Sequence, residues 1–182
     1  MRPGKRERLV AGARDAFHRQ GVEKTTLAEI AQAADVPVGN VYYYFKAKDE
    51  LVDAAIGAHA EEIEAMLESL ERHRTPQGRL KALARALTEQ RELTARSGCP
   101  HGSLCSELGK RDDGFDCAQL VRLPIDWAEQ QFREMGRRDA RDLAVAMIAS
   151  YQGIALLTNT FHDPELMSRE ARRLERWIDS LA

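Results

Sequence analysis

Apolar residues recur every three or four positions along nearly all of the 182 residues. This spacing is typical of amphipathic helices. It predicts about nine helices, over residues 5–20, 27–34, 38–45, 50–72, 79–96, 103–108, 115–135, 140–161 and 164–181. Glycine and proline are sparse, while the strong helix formers Ala, Leu, Glu and Arg are abundant. The chain is therefore expected to be all-α.

Residues 25–48 combine a short helix, a tight turn and a second short helix that ends in aromatic residues and lysines. Thr26 and Glu29 have the spacing of a capping box, which starts the first of these helices. Pro37 suits the start of the second helix and cannot lie inside a helix. This layout is that of a helix-turn-helix, whose second helix enters the DNA major groove.

The predicted recognition helix is short, so few of its side chains can reach a groove. Asn40 is expected to read a base because asparagine pairs bidentately with adenine. Gly39 allows close approach of the backbone, and Val38 is placed to touch a thymine methyl group. Hydroxyl and lysine side chains suit phosphate oxygens, and the remaining interface candidates are Thr25, Thr26, Tyr42, Tyr43, Tyr44, Lys46 and Lys48.

A basic N-terminal tail adds candidate backbone or minor-groove contacts from Arg2, Lys5, Arg6 and Arg8. An alternative explanation of the motif remains open. Short helix pairs with a proline turn also occur in proteins that do not bind DNA, and an aromatic run can be pure core.

One family shows the same residues at the same spacing: Phe17 and Gly21, then Thr25, Thr26, Ile30 and Ala31, then Val36–Lys46, Lys48, Asp49 and Leu51. The segment resembles the N-terminal domain of the TetR family of bacterial transcriptional regulators. The resemblance implies an all-helical homodimer that represses genes near its own. It implies N-terminal helices that bind a palindromic operator and a C-terminal body that binds a small effector. It assigns phosphate contacts to Thr26, Tyr42 and Lys48.

The charge distribution agrees with a division into a DNA-binding domain, 1–48, and an effector-binding and dimerisation domain, 49–182. Residues 1–48 carry nine Lys/Arg and five Asp/Glu, whereas the remainder carries 18 Lys/Arg and 24 Asp/Glu. A small basic part on an acidic body fits contact with phosphate. Chance asymmetry in a helical protein is the alternative. The long fourth helix is expected to join the two parts.

An effector site is expected among inward-facing residues of the body. The candidates are apolar or amphipathic side chains: His59, Met66, Leu83, Leu87, His101, Leu104, Cys105, Trp127, Gln131, Met135 and Tyr151. A kink at Pro124 could outline a cavity beside them. Core packing is the alternative role of each. The segment Gly98–Leu104 resembles a TetR subgroup of LmrA/YxaF type, which implies a hydrophobic effector of unknown identity.

The eighth and ninth predicted helices have broad apolar surfaces that need cover. We expect them to form a four-helix bundle between two subunits. The predicted interface residues are Met147, Tyr151, Ile154, Leu174, Trp177 and Ile178. Packing of both helices within one chain is the alternative.

The three cysteines are an odd number, so a disulfide framework is not expected. Cys99, His101, Cys105 and Cys117 suggest two hypotheses. A metal site is disfavoured because their spacing is not a standard zinc pattern, and no metal or cofactor is predicted. A thiol sensor is the second hypothesis, in which oxidation or an electrophile changes DNA binding. Cys99 lies in a loop near a helix start, which could lower its pKa.

Other functional classes find little support. No apolar run reaches the ~20 residues of a membrane span, and no signal peptide is apparent, so a cytoplasmic protein without a membrane partner is expected. No nucleophile, base and orienting group stand at a catalytic spacing, so an enzyme is not expected. A small-molecule-binding protein without DNA activity remains an alternative.

Overall fold

The computed structural model describes residues 3–111 and 114–181. These residues form ten α-helices and no strand, which confirms the all-α prediction. In chain order they are α1 Lys5–Gln20, α2 Leu27–Ala33, α3 Val38–Tyr44, α4 Lys48–Leu70, α5 Pro76–Ala86, α6 Arg91–Ser97, α7 Pro100–Leu108, α8 Gln119–Glu134, α9 Ala140–Phe161 and α10 Glu165–Asp179.

The predicted fifth helix is two helices, α5 and α6. Between them the backbone tightens into turns, in which the Thr88 N–H donates to the Arg85 carbonyl at 2.9 Å. The Thr88 hydroxyl also donates to the carbonyls of Ala84 and Arg85. A threonine hydroxyl that donates hydrogen bonds to backbone carbonyls competes with the N–H groups that would continue the helix. No glycine or proline marks this break, and the apolar periodicity continues across it. The sequence pattern therefore predicted one helix here.

The chain divides into two compact units. The N-terminal unit comprises Met1–Glu61 and Ser103–Cys117, and the C-terminal unit comprises Glu62–Gly102 and Ala118–Ala182. The N-terminal unit thus reaches beyond the predicted boundary at residue 48. It also contains a segment remote in sequence, the end of α7 and the loop after it. Packing, which sequence composition does not reveal, brings that segment to the turn after α1 and to the start of α4.

The core of the N-terminal unit is built from the apolar faces of α1 to α4. Leu9, Ile30, Val41 and Leu51 are fully buried there, and each such side chain contributes roughly 1.5–3 kcal/mol on burial. Helices α1 and α2 pack closely at Gly12, where a Cβ atom would lie 3.2 Å from the Ile30 carbonyl oxygen. A larger residue would push these two helices apart.

The C-terminal unit is a helical bundle in which α9 packs against α6, α8 and α10. Its largest fully buried side chains include Phe132, Met147, Met167 and Ile178. Exposed ion pairs, such as the one between Lys81 and Asp179, join α5 to α10. Such pairs contribute little individually, so the apolar core carries the stability of this unit.

Helix α9 is long and apolar enough, by length and composition only, to cross a membrane. The core helix of a soluble protein passes the same test. Its packing against three neighbouring helices identifies it as a core helix of the bundle.

The turn between α1 and α2, residues 21–25, is held by charged side chains from two distant elements. Gly21 has φ of +85°, a left-handed conformation that glycine adopts without strain. The N–H groups of Val22 and Glu23 donate to the Glu107 carboxylate of α7 at 2.9 and 2.8 Å. The Lys48 ammonium donates to the carbonyls of Val22, Glu23 and Thr25 at 2.7–3.3 Å. We call this arrangement the turn clamp.

Replacing Gly21 with alanine should destabilise the protein by about 2–4 kcal/mol. The substitution adds left-handed backbone strain of ~1–2 kcal/mol, and its Cβ would lie 2.8 Å from a Glu107 oxygen, which must then leave its N–H partners. Urea denaturation measures the loss. Gly136→Ala is the matched control, because Gly136 has φ of +80° with open space around its Cβ position. Equal losses in both variants would show that only backbone strain matters.

Candidate nucleic-acid interface

Helices α2 and α3 form the predicted helix-turn-helix. Thr26 caps α2: its hydroxyl accepts the Glu29 N–H at 3.2 Å, and the Glu29 carboxylate accepts the Thr26 N–H at 2.7 Å. This is the capping box expected from the sequence. The hydrogen bonds that Thr26 donates to the Glu29 carboxylate lower the pKa of that carboxyl, and the bond from the Thr26 backbone N–H lowers it most. Pro37 then precedes the first residue of α3.

The turn between α2 and α3 is set by a left-handed residue and an arginine. Asp35 has φ of +52°, which aspartate tolerates better than most residues. The Arg8 guanidinium donates to the carbonyls of Ala34 and Asp35, both at 3.0 Å. A cation on the last carbonyls of a helix is favourable because the C-terminal end of the helix dipole is negative. Arg8 therefore fixes the angle between the two helices.

Helix α3 presents one exposed face with few internal contacts. Val38 is 45% exposed, Tyr42 54% and Tyr43 77%. Nothing lies within 4 Å of a Cβ built on Gly39, so the backbone there is open to close approach. The Asn40 side chain makes no hydrogen bond to the residues that the structure describes. We call Val38, Gly39, Asn40, Tyr42 and Tyr43 the reading face.

The opposite face of α3 anchors it. Val41 and Phe45 are buried, with the Arg6 guanidinium 5.3 Å from the centre of the Phe45 ring. Tyr44 is half-buried and meets the Tyr43 ring edge-on at 4.9 Å. Val41 and Phe45 thus hold the helix, and the edge-on contact orients the most exposed tyrosine. This arrangement leaves the polar ends of Tyr42 and Tyr43 to solvent.

Two predicted DNA contacts have structural roles instead. Thr25 is 1% exposed, and its hydroxyl donates to the Gly21 carbonyl at 2.6 Å. Its side chain therefore cannot reach DNA as the chain stands. The three ammonium donors of Lys48 are taken by the turn clamp. The Lys46 side chain, in contrast, is exposed, and among the described residues its ammonium makes one hydrogen bond, to the Tyr42 carbonyl at 2.9 Å.

The basic tail predicted to reach the DNA begins α1 instead. Lys5, Arg6 and Arg8 lie in this helix, and Arg6 and Arg8 contact α3 and the turn before it. Arg2 lies outside the described residues. Arg6 and Arg8, which the sequence suggested as DNA contacts, therefore pack against the helix-turn-helix.

The predicted effector residues fall into several places. His59, Leu104 and Cys105 belong to the N-terminal unit, where His59 is 3.3 Å from the Arg14 guanidinium. In the C-terminal unit, the Trp127 ring N–H donates to Glu71 and Gln131 accepts from Arg79. The other candidates of that unit are Met66, Leu83, Leu87, His101, Met135 and Tyr151. Of these, Tyr151 and Leu87 share an apolar cluster with Cys99 and Met167.

The apolar surface of α9 differs from the predicted dimer interface. Met147, Leu174 and Ile178 are fully buried within one chain, Tyr151 is almost so, and Ile154 and Trp177 are half-buried. Residues pointing the other way are exposed. We call Val145, Leu156, Leu157 and Phe161 the α9 face, of which Leu156 is 67% exposed. The apolar stripes that suggested the interface thus pack largely in the chain's own core, and the interface itself stays a prediction.

The cysteines are free thiols in two separate settings. Cys99 is buried against Tyr151, whose hydroxyl donates to its sulfur at 3.5 Å. The loop position that suggested a reactive Cys99 is therefore covered. Cys105 is half-buried and donates to the Cys117 carbonyl at 3.1 Å. Within the described ranges, no group of three or more His, Cys, Asp or Glu side chains is arranged to hold a metal ion.

Comparison with known proteins gives one family. The sequence profile described as "Bacterial regulatory proteins, tetR family" matches residues 9–55. The HTH-type transcriptional regulator TtgR of Pseudomonas putida is 27% identical over 96% of this chain and 88% of its own length. The probable HTH-type transcriptional regulator ArpR of P. putida is 28% identical over 82% of this chain and 77% of its own.

Solved structures agree on the fold. The crystal structure of a TetR transcriptional regulator from Legionella pneumophila superposes with a TM-score of 0.85 at 19% identity, covering 99% of this chain and 98% of that one. Together with the helix-turn-helix described above, these matches show that residues 9–55 form a DNA-binding domain of TetR type and that the chain has the fold of TetR-family proteins. The two P. putida relatives are transcriptional regulators of helix-turn-helix type.

Replacing Lys48 with methionine should lower the stability of the protein by about 1.5–3 kcal/mol, since hydrogen bonds to a charged group contribute that much. Lys46→Met is the matched control and should change stability by less than about 0.5 kcal/mol. On DNA, Lys46→Met should reduce the slope of log K against log salt by about one, as expected for a lost phosphate contact. If Lys48→Met kept full stability and reduced the slope, its ammonium would be a phosphate ligand.

Proposed function

We propose that this chain is a dimeric transcriptional repressor that binds a palindromic operator and is released from it by a small hydrophobic effector. The observation that carries the proposal is the reading face, largely exposed and with side chains that make no hydrogen bond to the described part of the chain, on an otherwise well-packed helix-turn-helix. Exposed aromatic residues next to an open glycine are unfavourable on a protein that has no partner there. DNA is the partner for which this arrangement is suited.

The contacts divide into those that read sequence and those that set position. The side-chain amide of Asn40 pairs with an adenine edge, and Val38 packs on a thymine methyl. The hydroxyls of Tyr42 and Tyr43 and the ammonium of Lys46 hold phosphate oxygens. Thr26 is exposed at the N-terminus of α2, where its hydroxyl would exchange its contact with the Glu29 carboxylate for a phosphate oxygen. Thr25 and Lys48 support this set from within the turn.

The α9 face is proposed to meet the same face of a second copy. Val145, Leu156, Leu157 and Phe161 are exposed apolar residues on one long helix. Gly153 on the same helix has open space at its Cβ position, which would let another helix approach closely. Such a pairing is isologous, as in most homodimers. Two reading faces related by a two-fold axis would match a palindrome with half-sites about one DNA turn apart.

Effector binding is proposed to occur in the C-terminal unit. There Leu87 and Tyr151 lie with Cys99 and Met167 in one mostly apolar cluster, a lining suited to a hydrophobic molecule. The effector releases DNA only if it binds more tightly to a dimer whose reading faces no longer match the groove spacing. By linkage, operator DNA must then weaken effector binding by the same factor.

Fluorescence anisotropy on the DNA that flanks the protein's own gene, against scrambled DNA across a salt series, tests the proposal. Selective binding with a steep salt slope on the flanking DNA is the expected result. Weak binding that is equal on both DNAs, and a failure to enrich any sequence from genomic fragments, would overturn it.

Variants at two neighbouring positions should separate sequence reading from positioning. Asn40→Ala should weaken operator binding by about 1–3 kcal/mol with little effect on random DNA, because it removes a base contact. Tyr42→Phe should weaken both DNAs alike by about 0.5–1.5 kcal/mol, the contribution of one hydrogen bond. Anisotropy titrations on the two DNAs measure the difference. An equal loss on all sequences in Asn40→Ala would refute its base-reading role.

Replacing Leu156 with aspartate should dissociate the dimer, because it buries a carboxylate in an apolar interface. We expect a dimer dissociation constant at least about 100-fold higher by analytical ultracentrifugation, that is ~2.7 kcal/mol. Leu93→Asp is the matched control, since Leu93 is an exposed leucine on α6 outside the α9 face. A dimer that survives Leu156→Asp unchanged would place the interface elsewhere.

A further inference from the structure

Two of the three thiols meet within the N-terminal unit. Cys105, on α7, and Cys117, after the loop that follows it, are twelve positions apart, and the Cys105 sulfur lies 3.1 Å from the Cys117 carbonyl oxygen. Cys105 is half-buried, whereas Cys117 is buried. The proximity of the two thiols lowers the pKa of Cys105 and raises the pKa of Cys117. Cys105 is thus the thiol of the pair that ionises first.

Residues between the two cysteines contact each other and the start of α4. Arg111 forms an ion pair with Asp49 at 3.7 Å, and its guanidinium lies 5.4 Å from the centre of the Phe115 ring. Phe115 precedes Cys117 by two residues. These contacts lie in the same unit as both cysteines.

The position of the pair matters because Glu107 follows Cys105 by two residues on the same helix. The Glu107 carboxylate holds the N–H groups of Val22 and Glu23 in the turn clamp. Each of these hydrogen bonds is within 3 Å and charge-assisted, and such bonds weaken steeply with displacement. A change of bonding at Cys105 therefore acts on the last turn of α7, which carries the Glu107 carboxylate of the turn clamp.

We propose that Cys105 and Cys117 form a reversible oxidation site for hydroperoxides, whose disulfide displaces the end of α7 and loosens the turn clamp on the helix-turn-helix. The effect on DNA rests on the proposed function; the chemistry at the thiols does not. The two thiols must approach to a sulfur–sulfur bond of about 2.05 Å with a fixed dihedral angle. Backbone at the pair must move to meet that requirement, and movement at Cys105 displaces the end of α7.

The chemistry balances with hydrogen peroxide as the oxidant. The Cys105 thiolate attacks one peroxide oxygen, the O–O bond breaks, and a proton turns the departing hydroxide into water, which leaves a sulfenic acid on Cys105. The Cys117 sulfur then attacks the Cys105 sulfur, the S–O bond breaks, and a second water leaves with the Cys117 proton. Two thiols are oxidised and one peroxide is reduced to two waters.

Cys99 serves as the internal control. It lies in the C-terminal unit, is buried against Tyr151, Ala155 and Met167, and meets neither of the other cysteines. Its sulfur also accepts the Gly102 N–H at 3.4 Å. It has no second thiol to resolve a sulfenic acid. Cys99→Ser should therefore leave the oxidation site intact.

Peptide mapping of the full-length protein after brief treatment with hydrogen peroxide tests the site directly. Free thiols are alkylated before digestion without reductant. The expected product is one cross-linked peptide pair joining Cys105 to Cys117, two hydrogens lighter than the reduced pair, in wild type and in Cys99→Ser. Cys105→Ser and Cys117→Ser should lack it. Stable oxidation at Cys99, or sulfonic acid at Cys105 without a cross-link, would overturn the proposal.

Hydrogen exchange tests the clamp without DNA. The amides of Val22 and Glu23 should exchange about tenfold faster in the oxidised protein and recover with dithiothreitol, because local opening governs their exchange. Unchanged exchange beside a complete disulfide would refute the coupling. Should a serine variant fold poorly, the oxidised and re-reduced wild type still gives this comparison.

The DNA readout separates the two proposals. Oxidation should weaken operator binding at least about tenfold, or ~1.4 kcal/mol, in wild type and Cys99→Ser, with recovery on reduction. Cys105→Ser should bind the operator equally well with and without peroxide. If the reduced protein does not bind DNA selectively, the proposed function fails while the mapping and exchange results still stand. Unchanged operator binding by a fully oxidised protein would contradict the regulatory effect.

Discussion

The turn clamp is the constraint on which the arrangement of the N-terminal unit depends. A five-residue turn at the edge of a helical core would leave several backbone groups without partners, which is costly when they are shielded from water. Here the Glu107 carboxylate accepts hydrogen bonds from two N–H groups, and the Lys48 ammonium donates to three carbonyls. The turn is thereby fixed to α7 on one side and to the start of α4 on the other.

The direction of the reading face follows from this fixed turn. Helix α2 begins directly after it, capped by Thr26, and crosses α1 closely at Gly12. Arg8 then holds the last carbonyls of α2 and the turn to α3. Each step leaves little freedom for the next, so an exposed helix of seven residues is held at a defined angle. Recognition of a groove needs that angle more than it needs length.

The parts predictable from the sequence are those that depend on local chemistry. The capping box at Thr26 and Glu29 and the proline start of α3 are short-range features, and both appear in the structure as expected. The helical periodicity does so too, except that it runs through the break between α5 and α6. Features that depend on distant residues were not predictable. Nothing around Glu107 indicates that its carboxylate binds the turn after α1, and Lys48 suits a phosphate as well as three carbonyls. The dimer residues predicted from the sequence lie on apolar stripes of α9 and α10 that the chain itself largely buries.

We propose that two copies of this chain read an inverted repeat through the exposed side chains of α3. Selection from a random double-stranded DNA library with the reduced wild-type protein tests it most directly, because no operator has to be assumed. The account predicts enrichment of an inverted repeat with half-site centres about one helical turn apart, ~34–36 Å, and loss of base preference in each half-site for Asn40→Ala. Enrichment of a single unrepeated site would contradict the dimer, and enrichment of no sequence at all would contradict DNA reading by α3.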